Sequence, residues 1–202
     1  MSVRRSRREL FTSWIGALHE AADRARPVHR GPDPATALRP PGALAPDALF
    51  LEKCTGCGDC LPACPPGSIL RLETADGGMI PAIHPAVRPC YLCPALPCVA
   101  SCTAAALVDP GAPEQARLGL ARVDPRRCVT FRGETCDRCI AICPVPEAIR
   151  AIAGRPLVAS SACTGCGLCE QCCPERPRAI AVIAERHLVP GLRVPADEYR
   201  RG

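Results

Sequence analysis

Aromatic side chains are scarce in this chain. Phe11, Phe50, Phe131, Trp14, Tyr91 and Tyr199 make up only 3% of its 202 residues. The apolar content rests on Ala, Leu, Ile and Val, broken by 24 prolines and 16 glycines. Such a chain buries little large side-chain area, so a core made of side chains alone would be thin. So few aromatics also leave nothing for base stacking, and no nucleic-acid-binding motif is present. No stretch approaches the roughly 18 consecutive apolar residues of a membrane span. A Gly-rich dinucleotide loop, a P-loop and a nucleophile–base pair are all missing, which argues against an autonomous enzyme. The four histidines, His19, His29, His84 and His187, sit at no ligand spacing.

Cysteine is abundant: 17 residues, a density that signals either a disulfide scaffold or a metal protein. Disulfides fit poorly. The cysteines fall in tight runs at i, i+3 and i+6, too close to cross-link one another across a fold. Their number is odd, and the N-terminus has no convincing secretory hydrophobic core.

The cysteines form four quartets. "CTGCGDCLPACP" holds Cys54, Cys57, Cys60 and Cys64. "CYLCPALPCVASC" holds Cys90, Cys93, Cys98 and Cys102. "CVTFRGETCDRCIAICP" holds Cys128, Cys136, Cys139 and Cys143, and "CTGCGLCEQCCP" holds Cys163, Cys166, Cys169 and Cys173. In a C-x2-C-x2-C loop three thiolates meet three iron corners of one cubane. The fourth cysteine, three residues on and usually before proline, ligates the other cluster of a pair. Proline there ends the short helical turn. The four runs therefore predict four [4Fe–4S] clusters on sixteen iron ligands. Structural zinc sites use cysteine pairs, or cysteines with histidines, and these triplets plus one do not match that pattern.

The first and fourth runs share the frame C-T-G-C-G-x-C-x-x-x-C-P, an internal repeat. That likeness predicts a nested arrangement, outer runs together and inner runs together. The ligand sets would be Cys54, Cys57, Cys60 and Cys173; Cys163, Cys166, Cys169 and Cys64; Cys90, Cys93, Cys98 and Cys143; Cys128, Cys136, Cys139 and Cys102. Sequential pairing fits the spacing too and stays open. β-like segments follow each run: "SILRLE" (68–73), "AAALV" (104–108), "EAIRAIA" (147–153), which also suits a helical turn, and "AIAVIAE" (179–185). Their Ile and Leu side chains are expected to line the clusters and exclude water. The predicted fold is α+β and ferredoxin-like: two nested dicluster units with short strands, short helices and many loops. Residues 47–79 and 155–190 would form the outer unit and 80–154 the inserted inner one. Residues 1–46 would be a basic amphipathic helix with a Pro-rich linker, and 191–202 a tail.

Residues 1–30 carry seven Arg against Glu9, Glu20 and Asp23, most of the chain's net charge of +5. Ser6 and Glu9 form a capping box, and Leu10, Phe11, Trp14, Ile15 and Leu18 share one helical face. The segment reads as a helix that packs on the cluster domain, or that docks on a membrane surface or protein partner through residues 6–26. "SRRELF" (6–11) also looks like a twin-arginine box, but its apolar stretch barely reaches the length of an export signal. The expected location is cytoplasmic, at a membrane surface in one reading, with twin-arginine export to the periplasm as the alternative. Four oxidised clusters at about −2 each would make the loaded protein acidic overall.

"LRPPGAL" (38–44), the stretched second run and "ARLGLARVDPRRCVTFRGETCDRC" (116–139) together resemble the NapG/MauM-type ferredoxin-like proteins over roughly residues 38–185. The resemblance implies a four-cluster electron-transfer subunit with nested pairing. It would relay electrons from a membrane quinol-oxidising partner toward a soluble oxidoreductase, in some members a periplasmic molybdenum enzyme. It equally permits a maturation factor for a molybdenum oxidoreductase. Thr103 follows Cys102 where the pattern has proline, and the family's twin-arginine signal is ambiguous here. One cysteine remains. Alignment of the repeat puts Cys173, before Pro174, where Cys64 stands before Pro65, so Cys172 falls in the spacer and reads as a small buried filler.

Overall fold

The computed structural model describes residues 37–73 and 77–184. The helix expected over 6–26 and the tail 191–202 lie outside the described residues. The class is α+β, with short strands and shorter helices. None of the described helices is long and apolar enough to cross a membrane.

One plan is built twice. In the first half, helix α1 (Asp47–Lys53) precedes the first cysteine run. Strands β1 (Ile69–Glu73) and β2 (Met79–Ile83) then form an antiparallel hairpin, and helix α2 (Pro97–Ala100) lies within the second run. The flanks of this half meet in a single bridge, Ala43 with Leu107. Around it the Leu44 N–H donates to Ala106 O at 3.1 Å and the Val108 N–H to Gly42 O at 2.8 Å. In the second half the same closure is a full ladder of β3 (Gly119–Val123) with β6 (Ile180–Ala184). Inside it sit helix α3 (Arg138–Ala141), the hairpin of β4 (Ile149–Ile152) and β5 (Arg155–Val158), and helix α4 (Leu168–Cys172). Each half thus runs flank, cysteine run, hairpin, cysteine run, flank.

The sequence explains these elements locally. In β6, Ile180, Val182 and Ala184 point inward by strict alternation. The β4–β5 turn has two residues, Ala153 at φ +49 and Gly154 at φ +75, the paired positive φ that matches the strand twist of a tight hairpin. Phe50 is fully buried and anchors α1. The Arg39 guanidinium lies 5.0 Å from its ring centroid and reaches Asp47 with two bonds of 2.7 and 2.9 Å.

The flanking-strand expectation holds at 69–73, 149–152 and 180–184, where "EAIRAIA" takes the strand and not the helical turn. It fails at 104–108, where only Leu107 bridges. Ala105 sits at φ +53 there, which breaks an extended run. The nested division also needs correction. Hairpin β1–β2 straddles the boundary at 79/80, hairpin β4–β5 straddles 154/155, and β3 inside the supposed insert pairs with β6 outside it. Residues 80–154 are therefore no inserted unit. The halves follow one another along the chain, because a short hairpin joins each run to its neighbour and consecutive elements pack together.

The core mixes Leu38, Ile69, Ile83, Leu118 and Ile180 with buried cysteines of the first, second and fourth runs, and partly buried cysteines of the third pack against it.

Candidate metal centre

The C-T-G-C-G frame is a backbone requirement. Gly56 and Gly58 have φ of +69 and +87, and Gly165 and Gly167 have +73 and +94. A Cβ on Gly56 would stand 2.4 Å from Met79 O, and one on Gly165 would stand 2.3 Å from Gly119 O. Each loop is pressed against the start of a strand, where only glycine combines this φ with this approach. The second run makes the same turn with Leu92 at φ +49. Its longer x4 spacer contains Leu96, at φ +40, before Pro97 opens α2. The x7 spacer of the third run is a 3-10 turn over Val129–Arg132, closed by Gly133 at φ +89.

Twelve of the thiols gather in three groups, each drawing three from one run and one from its neighbour. Cys90, Cys93 and Cys98 line a cavity with Cys64, walled by Ile69, Ile83 and Leu96. Cys163, Cys166 and Cys169 line another with Cys143, walled by Ala121, Val145 and Ile149. A third holds Cys128, Cys136, Cys139 and Cys173, walled by Val123, Val129 and Ile180. Cys54, Cys57 and Cys60 of the first run remain, and Cys102 is the one fourth cysteine that none of these three cavities takes. Ile69, Ile149 and Ile180 come from the segments expected to supply the walls, whereas Ile83, Leu96, Ala121, Val123, Val129 and Val145 come from other strands and from loops.

This grouping corrects the nested sets at three of the four fourth cysteines. Cys64 lies with the second run and not the fourth, Cys143 with the fourth and not the second, and Cys173 with the third and not the first. The shared frame of runs one and four reports the same glycine-dependent loop, not a partnership in space.

Backbone amides point at three of the four fourth cysteines. The Ser68 N–H donates to Cys64 Sγ at 3.3 Å, Leu107 N–H to Cys102 Sγ at 3.4 Å and Ala179 N–H to Cys173 Sγ at 3.4 Å. Cys163 and Cys90 receive longer ones, 3.5 Å, from Ala121 and Leu92. Thr130 Oγ1 stands 3.2 Å from Cys128 Sγ. Donors of this kind stabilise charge on sulfur and tune a cluster's potential. Sequence reasoning missed them, because amide direction follows from turns that residue identity does not specify.

Burial favours the protonated form of the most enclosed thiols. Desolvation, reinforced by neighbouring thiols, pushes Cys60, Cys90 and Cys139 up to about 12 and Cys98 to about 11. Cys169 is driven up furthest, also chiefly by burial. Packing together groups that repel as thiolates makes sense when a cation-rich body is to sit between them. Among the described residues no three His, Cys, Asp or Glu side chains converge tightly enough to hold a single ion. Four soft sulfur donors spread around an apolar hollow suit an iron–sulfur cluster.

Cys173 is buried and lines the third-run cavity, as the repeat alignment requires of a ligand. Cys172 lines none of the three cavities and donates its S–H to Cys169 O at 3.4 Å. It is half-buried, so it fills less of the interior than expected.

Relatives agree with this chemistry. Residues 29–75 match the family described as the LdpA Fe–S cluster-binding domain. The methylamine utilization ferredoxin-type protein MauM of Paracoccus denitrificans is 39% identical over 166 residues, 75% of this chain and 73% of that protein. MauM of Methylorubrum extorquens is 35% identical over 197 residues, 88% of this chain and 89% of its own. The ferredoxin-type protein NapG of Escherichia coli is 38% identical over 163 residues, 72% of this chain and 70% of its own. No solved structure matches the chain. With cysteine-lined hollows in a glycine-dictated frame and this likeness over most of its length, the chain belongs to the MauM/NapG family of ferredoxin-type iron–sulfur proteins.

Proposed function

We propose that the four thiol groups hold four [4Fe–4S] clusters, paired sequentially, and that the chain relays electrons between a redox donor and an oxidoreductase. The ligand sets are Cys54, Cys57, Cys60 and Cys102; Cys90, Cys93, Cys98 and Cys64; Cys163, Cys166, Cys169 and Cys143; Cys128, Cys136, Cys139 and Cys173. The observation that carries this reading is the meeting of three thiols from one run with one from its neighbour around an apolar hollow. When bound, each cluster supplies reversible one-electron chemistry. The protein's part is to hold the thiols, exclude water with Ile, Val and Leu walls, and aim amide N–H groups at sulfur.

The donor in this reading is a membrane quinol-oxidising protein, and the acceptor a molybdenum oxidoreductase. The basic segment 6–26 would make the membrane or partner contact, whether in the cytoplasm or, after twin-arginine export, in the periplasm. Anaerobic purification followed by iron and acid-labile sulfide analysis tests the reading. About sixteen irons per chain, with visible absorption that bleaches on reduction and returns on reoxidation, are expected. About four zinc ions and no labile sulfide would refute it.

A further inference from the structure

The two halves meet along a narrow seam made by residues 84–90 of the first half and the fourth cysteine run. The Cys90 N–H donates to Cys166 O at 2.8 Å. Both residues are cluster ligands in the proposal above, and both are 7% exposed. On either side the contact is fastened by side chains. Gln171 Nε2 donates to Val87 O at 2.9 Å, and Arg178 Nη2 donates to Ala86 O at 2.8 Å. Gly167 lies so close to Pro85 that a Cβ would stand 2.5 Å from the proline Cβ. The seam therefore joins the ligand shells of two sites directly through one peptide hydrogen bond.

We infer that the Cys90–Cys166 contact is the junction that links the two halves into one series of sites. The Cys64/Cys90/Cys93/Cys98 and Cys143/Cys163/Cys166/Cys169 sites stand in the middle of the series. The sites of Cys57 and Cys136 stand at the ends. The inference rests on the proposed loading of the sites. The order within each half follows from the exchange of fourth cysteines. Cys64 leaves the first run to join the second site, and in the second half Cys143 leaves the third run to join the fourth while Cys173 leaves the fourth to join the third. A single electron crossing the seam leaves the Cys90 site oxidised by one unit and the Cys166 site reduced by one unit. A reduced redox protein at one end supplies it and an oxidised one at the other end accepts it, and neither proton nor bond is exchanged. Gln171 and Arg178 are positioning residues. They touch no cavity and act by clamping the backbone that presents Cys90 to Cys166.

The test removes the end sites and asks whether the remaining two are magnetic neighbours. Cys57→Ala/Cys136→Ala is reduced fully and measured by electron paramagnetic resonance at two microwave frequencies. With about eight irons retained, the expected result is a split signal whose features do not scale with field, the mark of two interacting spins. Two independent signals that scale with field would overturn the inference. Hydrogen exchange on the unaltered holoprotein gives a second measurement that does not depend on that variant folding. Amides of residues 84–91 are expected to be protected, and the protection is expected to fall in Gln171→Ala/Arg178→Ala at unchanged iron content. Rapid exchange there in the unaltered protein would overturn the seam. A protein with about sixteen irons but no coupled middle pair would sink this inference alone, whereas one without labile sulfide would sink the reading of the sites with it.

Discussion

Cys173 lines a cavity with Cys128, 45 positions before it, while its neighbour Cys172 turns its thiol to the Cys169 carbonyl. Two adjacent cysteines thus differ in placement because the helix α4 ends between them: Cys172 is its last residue, and Cys173 is extended. We expect Cys172→Ala to keep about sixteen irons and Cys173→Ala to fall to about twelve, or to convert one site to a three-iron form. Iron per chain and the spectrum of the oxidised protein read both outcomes.

The glycine frame gives a stability prediction with an internal control. Gly165→Ala meets Gly119 backbone at 2.3 Å with φ at +73, whereas Gly133→Ala meets nothing within 4 Å at φ +89. The second change costs only the left-handed strain, about 1–2 kcal/mol. The first adds the displacement of β3 and is expected to cost at least about 3 kcal/mol, the scale of overpacking added to strain. Thermal melts of the loaded variants decide the order. Equal losses would contradict the close approach.

Ionisation of the buried thiols sets opposite pH trends for folding and loading. Cys60, Cys90 and Cys139 are pushed from 9.0 up to about 12 by burial, so the folded cluster-free chain keeps protons that the unfolded chain gives up. Their contribution to stability is complete below pH 9, and it is lost as pH climbs through about 12. Circular dichroism of the cluster-free chain is expected to show less order at pH 11 than at pH 8. Cluster uptake must release the same protons, so chelator competition is expected to show tighter binding at pH 8.5 than at pH 6.5.

Phe50 compensates for the shortage of large side chains. It is fully buried, and Arg39 stacks on it while bonding Asp47. Phe50→Ala is expected to cost about 3–5 kcal/mol. Leu51→Ala, one residue along and 45% exposed, is expected to change stability by no more than about 0.5 kcal/mol. Denaturant titration of both variants checks the contrast.

The four cysteine runs whose thiols line the hollows were legible in the sequence, because the spacing of thiols within a run is a local property. Which run donates to which was not, because the cue taken from the repeat, C-T-G-C-G in runs one and four, encodes positive φ at Gly56 and Gly165 and says nothing about distance. A better cue was the length of chain between runs. Cys64 to Cys90 and Cys143 to Cys163 each leave room for one hairpin, β1–β2 or β4–β5. The hairpin folds back and delivers neighbouring runs to each other. The missing strand at 104–108 was hidden for a different reason. Its composition is strand-like, and the left-handed turn at Ala105 follows from the Cys102 loop and its amide bond from Leu107.

Sequential pairing is the central claim, and iron counting in a double variant tests it most directly. Cys136 and Cys173 serve one site if neighbouring runs are paired, and two sites if the runs are nested. Cys136→Ala/Cys173→Ala is therefore predicted to retain about twelve irons, no fewer than either single variant. A fall to about eight irons, the sum of two separate losses, would contradict it.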